Sequence, residues 1–333
     1  MLKFDCASAP AMAAIQHYVP RFLLKNFCTG QKPRLWAYDK STAKSFETNI
    51  QSVAGERNFY EAEIGDRILS LEEGLSAMES KTAAIIDRIL VQRSIGNLSD
   101  DDRIQIAVFV AIQMRRVPNQ RENLIAMNAA IRKALGDRDI HPDLVEGLSD
   151  MTPEEAKTMS LMILPEPNHE FPSHILDKTW LLFETEAATP FYISDNPVAM
   201  QNLVEPKGPF RGNLGLAVPG IEIYLPISST MTLGFFCRSH EAVIRNGVDR
   251  MLSAFIRDPD SPTPGFGPLL DWMRAFRKGT PLPSEAENVL NHNSLQVRQA
   301  ERYVFSSSSD FSLVEDMIAN EPRYRTGPRP HIT

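Results

Sequence analysis

The sequence predicts an α+β protein: a helical N-terminal half packed on a mostly antiparallel sheet from the central region, closed by C-terminal helices. Three observations carry this expectation. Apolar residues recur at spacings of three and four through much of 66–164, the period of an amphipathic helix. Short β-branched and aromatic runs edged by proline then gather in 179–236, as strands of a sheet do. Helical spacing returns after 240. Helices, then strands, then helices is an α+β order, not the alternation of a parallel βαβ chain.

Residues 1–14 read as a disordered or vector-like tail, and 15–320 as a single integrated domain, helical over about 60–165, strand-rich over about 177–238 and helical again over about 239–320. After Pro20, Phe22-Leu23-Leu24 suggests one or two helical turns. Leu35-Trp36-Ala37-Tyr38 reads as a strand with 44–49 as its partner. A long helix is expected over 66–93, where Ile68, Leu71, Leu75, Met78, Thr82, Ile85 and Ile89 make one stripe. Ser99 with Asp102 marks the next helix start, and 104–114 is apolar nearly all round, so that helix should be buried. Pro118 breaks it, and 121–135 forms a third helix ended by Gly136. Thr152-Pro153-Glu154-Glu155 opens another, reaching about 164. The segment 165–172 is the linker candidate. Strands are expected at 179–183, 191–194, 221–225 and 230–236, and a helix at 240–256. The proline-rich 257–268 reads as a loop or lid. Ser284 and Glu287 should cap a helix to about 302, followed by a last strand at 303–305 and a frayed tail at 321–333.

The net charge of −7 over 333 residues lacks the field of a bulk nucleic-acid binder, although nucleic acid or nucleotide stays open as a substrate. Three cysteines without a CxxC pair argue against a disulfide framework and a structural zinc site. No apolar run is long enough for a membrane span, and Asp5 interrupts any secretory signal, so a cytoplasmic protein is expected. The phosphate-loop, dinucleotide, zinc-protease and nucleophile-elbow signatures are all missing from the sequence. No nucleotide cofactor is therefore expected.

Three motifs stand out: His17-Tyr18-Val19-Pro20, Ser194-Asp195-Asn196-Pro197-Val198, and the helix and strand that run from Asn293 through Arg302-Tyr303-Val304-Phe305-Ser306. With Leu71-Glu72, Met78-Glu79 and Gln113-Met114-Arg115-Arg116-Val117-Pro118, they make a chain that resembles the bacterial and viral proteins grouped as domain of unknown function 4238. The likeness covers about 15–310. It implies one integrated domain and brings no activity with it.

Each motif carries candidate chemistry beside a plainer role. His17 suits a general base or metal ligand, or a buried histidine bonded to a carbonyl. Asp195 follows a strand, where a carboxylate can hold a metal ion or end the strand in an Asx turn. Glu72 and Glu79 share one helix face, where they would pair with cations or supply a second carboxylate to a pocket. Gln113, Arg115 and Arg116 end a buried helix; a guanidinium there complements the helix dipole or holds an anionic substrate. Asn293 sits on an apolar stripe, so its amide must pin a loop or face a ligand.

The leading expectation is an intracellular hydrolase, a metal-assisted phosphodiesterase or nuclease in a defence or toxin setting. Asp195 and Glu79 would hold a divalent ion, the one cofactor expected. His17 would be base or ligand. Arg115 or Arg116, with Gln113 and Asn293, would bind substrate. The alternative is a non-catalytic ligand- or protein-binding module.

Overall fold

The structure is a computed structural model that describes residues 5–7, 15–30, 32–164, 170–204, 214–258 and 266–330. The chain begins with β1 (Asp5–Ala7), β2 (Ile15–His17), the short α1 (Arg21–Lys25), the hairpin β3 (Arg34–Asp39) and β4 (Lys44–Asn49), then β5 (Gly55–Arg57), β6 (Glu61–Ile64) and β7 (Arg67–Ser70). A helical stretch follows: α2 (Glu72–Gln92), α3 (Asp100–Gln113), α4 (Pro118–Gly136), α5 (Pro153–Ile163) and α6 (Glu170–Leu176). Next come β8 (Thr179–Glu184), β9 (Ile193–Ser194), β10 (Ala199–Asn202), β11 (Ile221–Pro226) and β12 (Met231–Phe236). The chain continues through α7 (Arg238–Arg257), α8 (Phe266–Lys278), β13 (Leu282–Pro283), α9 (Ala286–Gln299), β14 (Tyr303–Ser306) and α10 (Ser312–Asn320).

The class is α+β, with sheets that are mostly antiparallel. The largest runs β10-β11-β12-β8-β13, where only β13 lies parallel to its neighbour β8. A second sheet, β4-β3-β14-β9, sets the C-terminal β14 between strands from the N-terminal and central regions. Alternation along β11 splits its residues between two cores. Ile221, Ile223 and Leu225 join the main core with Ile85, Ile86, Ile106, Phe109 and Val110 of α2 and α3. Tyr224 faces the other way, into a second core roofed by α8 and α9.

Local sequence explains the starts of α3, α4 and α5. The Ser99 hydroxyl accepts the Asp102 N–H at 3.2 Å while the Asp102 carboxylate accepts the Ser99 N–H at 3.0 Å, and Thr152 and Glu155 repeat the reciprocal pair. Pro118 opens α4 at its first position, where its missing N–H costs nothing.

Four expectations need correction. The helix expected over 66–93 starts only at Glu72, because Gly65, at φ +60°, turns β6 into β7 and claims 67–70 as strand. Ser284 does not cap α9: its N–H donates to the Glu184 carbonyl as β13 runs beside β8, and α9 starts after Glu285 instead. A helix, α8, occupies 266–278, which overlaps the end of the expected lid; 259–265 lie outside the described residues. The expected frayed tail is anchored as far as it is described: Arg329 grips Glu301 with two bonds of 2.6 and 2.8 Å, and Asn119 donates to the Pro328 carbonyl at 3.3 Å. Of the expected N-terminal tail only 5–7 are described, and they pair with β7; the first half of the linker candidate, 165–169, is outside too. No described helix is long and apolar enough to cross a membrane.

Candidate functional site

The sequence motifs assemble into two separate constellations. The first gathers where β2, α2 and the end of α3 meet. Gln16 is buried, takes the Tyr60 N–H at 2.6 Å and donates to Glu61 at 3.2 Å. Tyr18 bonds through its own N–H to the Ala54 carbonyl at 2.9 Å, so the strand that presents His17 is held from both sides. From the other direction, Gln113 at the last position of α3 donates to the Tyr18 carbonyl at 2.8 Å. Its amide oxygen accepts from Arg116 Nε at 2.7 Å. Arg116, whose side chain is 0% exposed, then reaches Glu79 Oε1 with Nη1 at 2.6 Å. The relay Tyr18–Gln113–Arg116–Glu79 thus fastens the His17 strand to two helices.

A guanidinium in this position is costly unless paired. Burial opposes its charge, but Tyr60 and the carboxylates of Glu79 and Glu72 outweigh it and hold Arg116 above the usual arginine range. Even so, Arg116 Nη2 has no hydrogen-bond partner among the described residues. His17 is pushed below the ordinary histidine value, first by burial and then by Arg21, against an opposing pull from the Gln51 and Ile50 carbonyls and Glu79. In the tautomer that donates toward those carbonyls, the lone pair lies on Nε2. Nε2 is also buried, without a hydrogen-bond partner among the described residues. Glu72, at the solvent rim, is raised by burial and by neighbouring Glu79. The arrangement offers one donor, one lone pair and two rim carboxylates within a single neighbourhood.

The second constellation is centred on Asp195 and is occupied entirely by the chain itself. Asp195 is 1% exposed; Oδ1 accepts the Glu301 N–H at 2.7 Å, and Oδ2 those of Arg302 and Tyr303 at 2.7 and 2.8 Å. Burial raises its carboxyl to about 6, against the pull of the three N–H groups and Lys40. Asn293, on α9, accepts the Tyr192 N–H at 2.7 Å and donates to the Pro190 carbonyl at 3.0 Å. One turn on, Gln296 accepts from Ser194 N–H and Oγ and donates to the Pro197 carbonyl at 2.9 Å. Lys40, 0% exposed, donates to the carbonyls of Val297 and Ala300 at the end of α9 at 2.9 and 2.6 Å. Arg302 closes the group with a two-pronged bond to Asp39, at 3.1 and 2.7 Å.

The expected meeting of His17, Glu79 and Asp195 on a metal ion is not found. Among the described residues no group of three or more His, Cys, Asp or Glu is placed to hold one. The physical reason is that backbone N–H groups take both Asp195 oxygens, while Glu79 turns to Arg116. His17, Glu79, Gln113 and Arg116 do come together. Arg115 points elsewhere, donating to the Ile163 carbonyl with its guanidinium over the Phe171 ring. Sequence reasoning missed Tyr60, Gln296, Asp39, Lys40 and Arg302. Gln296 was within reach, since it lies one turn from Asn293 on the same buried stripe; the others gain meaning only from distant partners.

No curated protein and no solved structure matches the chain. The motifs that build both constellations nevertheless fall inside one family's pattern: the model described as protein of unknown function (DUF4238) matches residues 15–310 of 333, and the chain belongs to that family.

Proposed function

We propose that the chain is a ligand-binding module, and that its ligand is a small hydroxylated oxyanion held between Arg116 and His17. The observation that carries this reading is the pair of buried, unpartnered nitrogens, Arg116 Nη2 and His17 Nε2. An unsatisfied buried polar atom costs about 1–3 kcal/mol. A ligand that accepts from the guanidinium and donates a hydroxyl to the imidazole removes both costs. Monohydrogen phosphate and 2-hydroxycarboxylates have this pattern. Calorimetric titration with inorganic phosphate and with lactate tests it, using wild type, Arg116→Lys and His17→Gln. Saturable binding that weakens about tenfold or more in each variant is the expected result, with His17→Gln melting close to wild type and Arg116→Lys, which loses one of its two bonds to Gln113 and Glu79, melting lower and titrated well below its transition. A wild type that takes up neither probe, or variants that bind as well as wild type, ends the proposal.

A second reading, a hydrolase, is favoured by the depressed His17 and its free lone pair. A neutral imidazole at pH 7 is a competent general base, and Arg116 would hold the developing oxyanion. Asp195 has no part in it, because its oxygens are committed to the backbone. Turnover of phosphodiester or carboxylic ester panels, lost in folded His17→Gln, separates this reading from binding alone.

A further inference from the structure

The face of the five-stranded sheet that α8 and α9 cover holds a carboxylate that no motif drew attention to. Glu222 of β11 lies across from Gln201 of β10 and Phe236 of β12, so these side chains share one face with Tyr224 two residues on. Its side chain is 8% exposed. Oε2 accepts from Gln201 Nε2 at 2.6 Å and from the Tyr224 hydroxyl at 2.7 Å, both uncharged donors. Oε1 faces His240 Nε2 at 3.6 Å, beyond hydrogen-bond length, and that nitrogen lies 3.1 Å from the Gly220 carbonyl. Among the described residues no lysine or arginine pairs with Glu222.

Aromatic residues share this face of the sheet: Phe236 is the cross-strand neighbour of Glu222, and Tyr224 lies two residues on. Tyr224 meets Phe236 edge-on at 5.6 Å, and Phe236 meets Trp272 of α8 at 6.0 Å. His292 of α9 lies 4.5 Å from the Tyr224 ring. It is 7% exposed, its Nδ1 has no hydrogen-bond partner among the described residues, and burial lowers it to about 4, so it is a neutral ring at physiological pH. Trp272, Gln201 and His240 are half-buried and form the rim. Both hydrogen bonds to this carboxylate come from neutral donors, and its nearest cationisable partner, His240, stands at 3.6 Å, so among the described residues no cation lies within hydrogen-bond length of it; ring faces attract cations.

We propose that this face binds an organic cation, a protonated amine, with Glu222 as its counter-charge and Tyr224, Phe236 and Trp272 as its walls. The ammonium would donate to Oε1, the oxygen left without a close donor. Hydrocarbon next to the nitrogen would lie against the rings. The site stands apart from Arg116 and does not depend on the ligand proposed there.

Trp272 supplies the readout. Wild-type protein titrated with n-butylamine, and separately with choline, is followed by tryptophan fluorescence and by calorimetry. A saturable response to butylamine is expected, weaker by about tenfold or more in Glu222→Gln, with the fluorescence part lost in Trp272→Phe. Glu222→Gln keeps both neutral hydrogen bonds, so it should fold and melt at or above the wild-type temperature. Choline binding as tightly as butylamine would overturn the hydrogen bond to Oε1 and with it the protonated-amine assignment. Absence of saturable binding in wild type, or undiminished binding in Glu222→Gln, overturns the site.

Discussion

Asp195 carries a charge that burial opposes and three backbone N–H groups of 301–303 favour. Those donors sit just past the end of α9 and would otherwise be unpaired in a buried junction, which is the sort of debt a carboxylate settles better than any other side chain. Asp195→Asn turns one acceptor oxygen into an amide NH2, a donor facing N–H groups. The expected loss is about 2–4 kcal/mol, read from urea denaturation. A variant as stable as wild type but altered in ligand binding or turnover would give Asp195 a role at a site and not in the scaffold. That Asp195 and Asn293 matter is legible from a polar residue beside proline and from an amide on an apolar stripe. The role is not legible, because the partners of Asp195 lie 106–108 positions along the chain. Glu222 was readable in principle: Ile221-Glu222-Ile223-Tyr224-Leu225 alternates, which places the carboxylate on a packed face.

At the scale of elements, α9 is the part on which the scaffold converges. Asn293 and Gln296 hold the 190–197 segment, and Lys40 caps the far end through Val297 and Ala300. Burial lowers Lys40 from 10.5 to about 8, although Asp195 and Glu301 pull it up. The unfolded chain therefore keeps this proton between about pH 8 and 10.5 while the folded chain releases it. Stability that Lys40 withholds below pH 8 is recovered as pH rises through that window, up to about 3 kcal/mol. A neutral amine still has two N–H groups for its two carbonyls, so the cap survives. The difference in unfolding free energy between wild type and Lys40→Met should thus grow in favour of wild type from pH 8 to 10.5. A difference independent of pH would mean Lys40 is not charged-and-buried in this way. Periodicity made α9 itself visible, but its cap was misplaced by one residue, since Ser284 is drawn into β13 pairing that no local signal announces.

At the scale of the whole molecule, the α+β order was readable because period and β-propensity change along the chain, whereas the sheet order was not. Setting β14 between β3 and β9 depends on contacts between regions more than a hundred positions apart. The same holds for the C-terminal segment, whose polar composition reads as solvated. Its Arg329 instead pairs with Glu301, and Asn119 of α4 donates to Glu301 at 2.8 Å and to Pro328 at 3.3 Å. Despite burial, these two partners hold the Glu301 carboxyl below the usual range. Glu301 is also the residue whose N–H reaches Asp195 Oδ1. Removing residues from 322 onward would strip Glu301 of its guanidinium while leaving α10 intact. A half-buried ion pair with two bonds, broken on one side, puts the expected loss at about 1–3 kcal/mol. Arg329→Ala in the full chain should reproduce most of that loss, since the rest of the segment makes few polar contacts with the body. Both are read by denaturant midpoint at constant slope. Truncation that leaves the midpoint where it was would return the segment to the solvated tail its composition suggests. Truncation that costs much more than Arg329→Ala would move the weight from the ion pair to Tyr324, which packs against the Val297–Phe311 cluster.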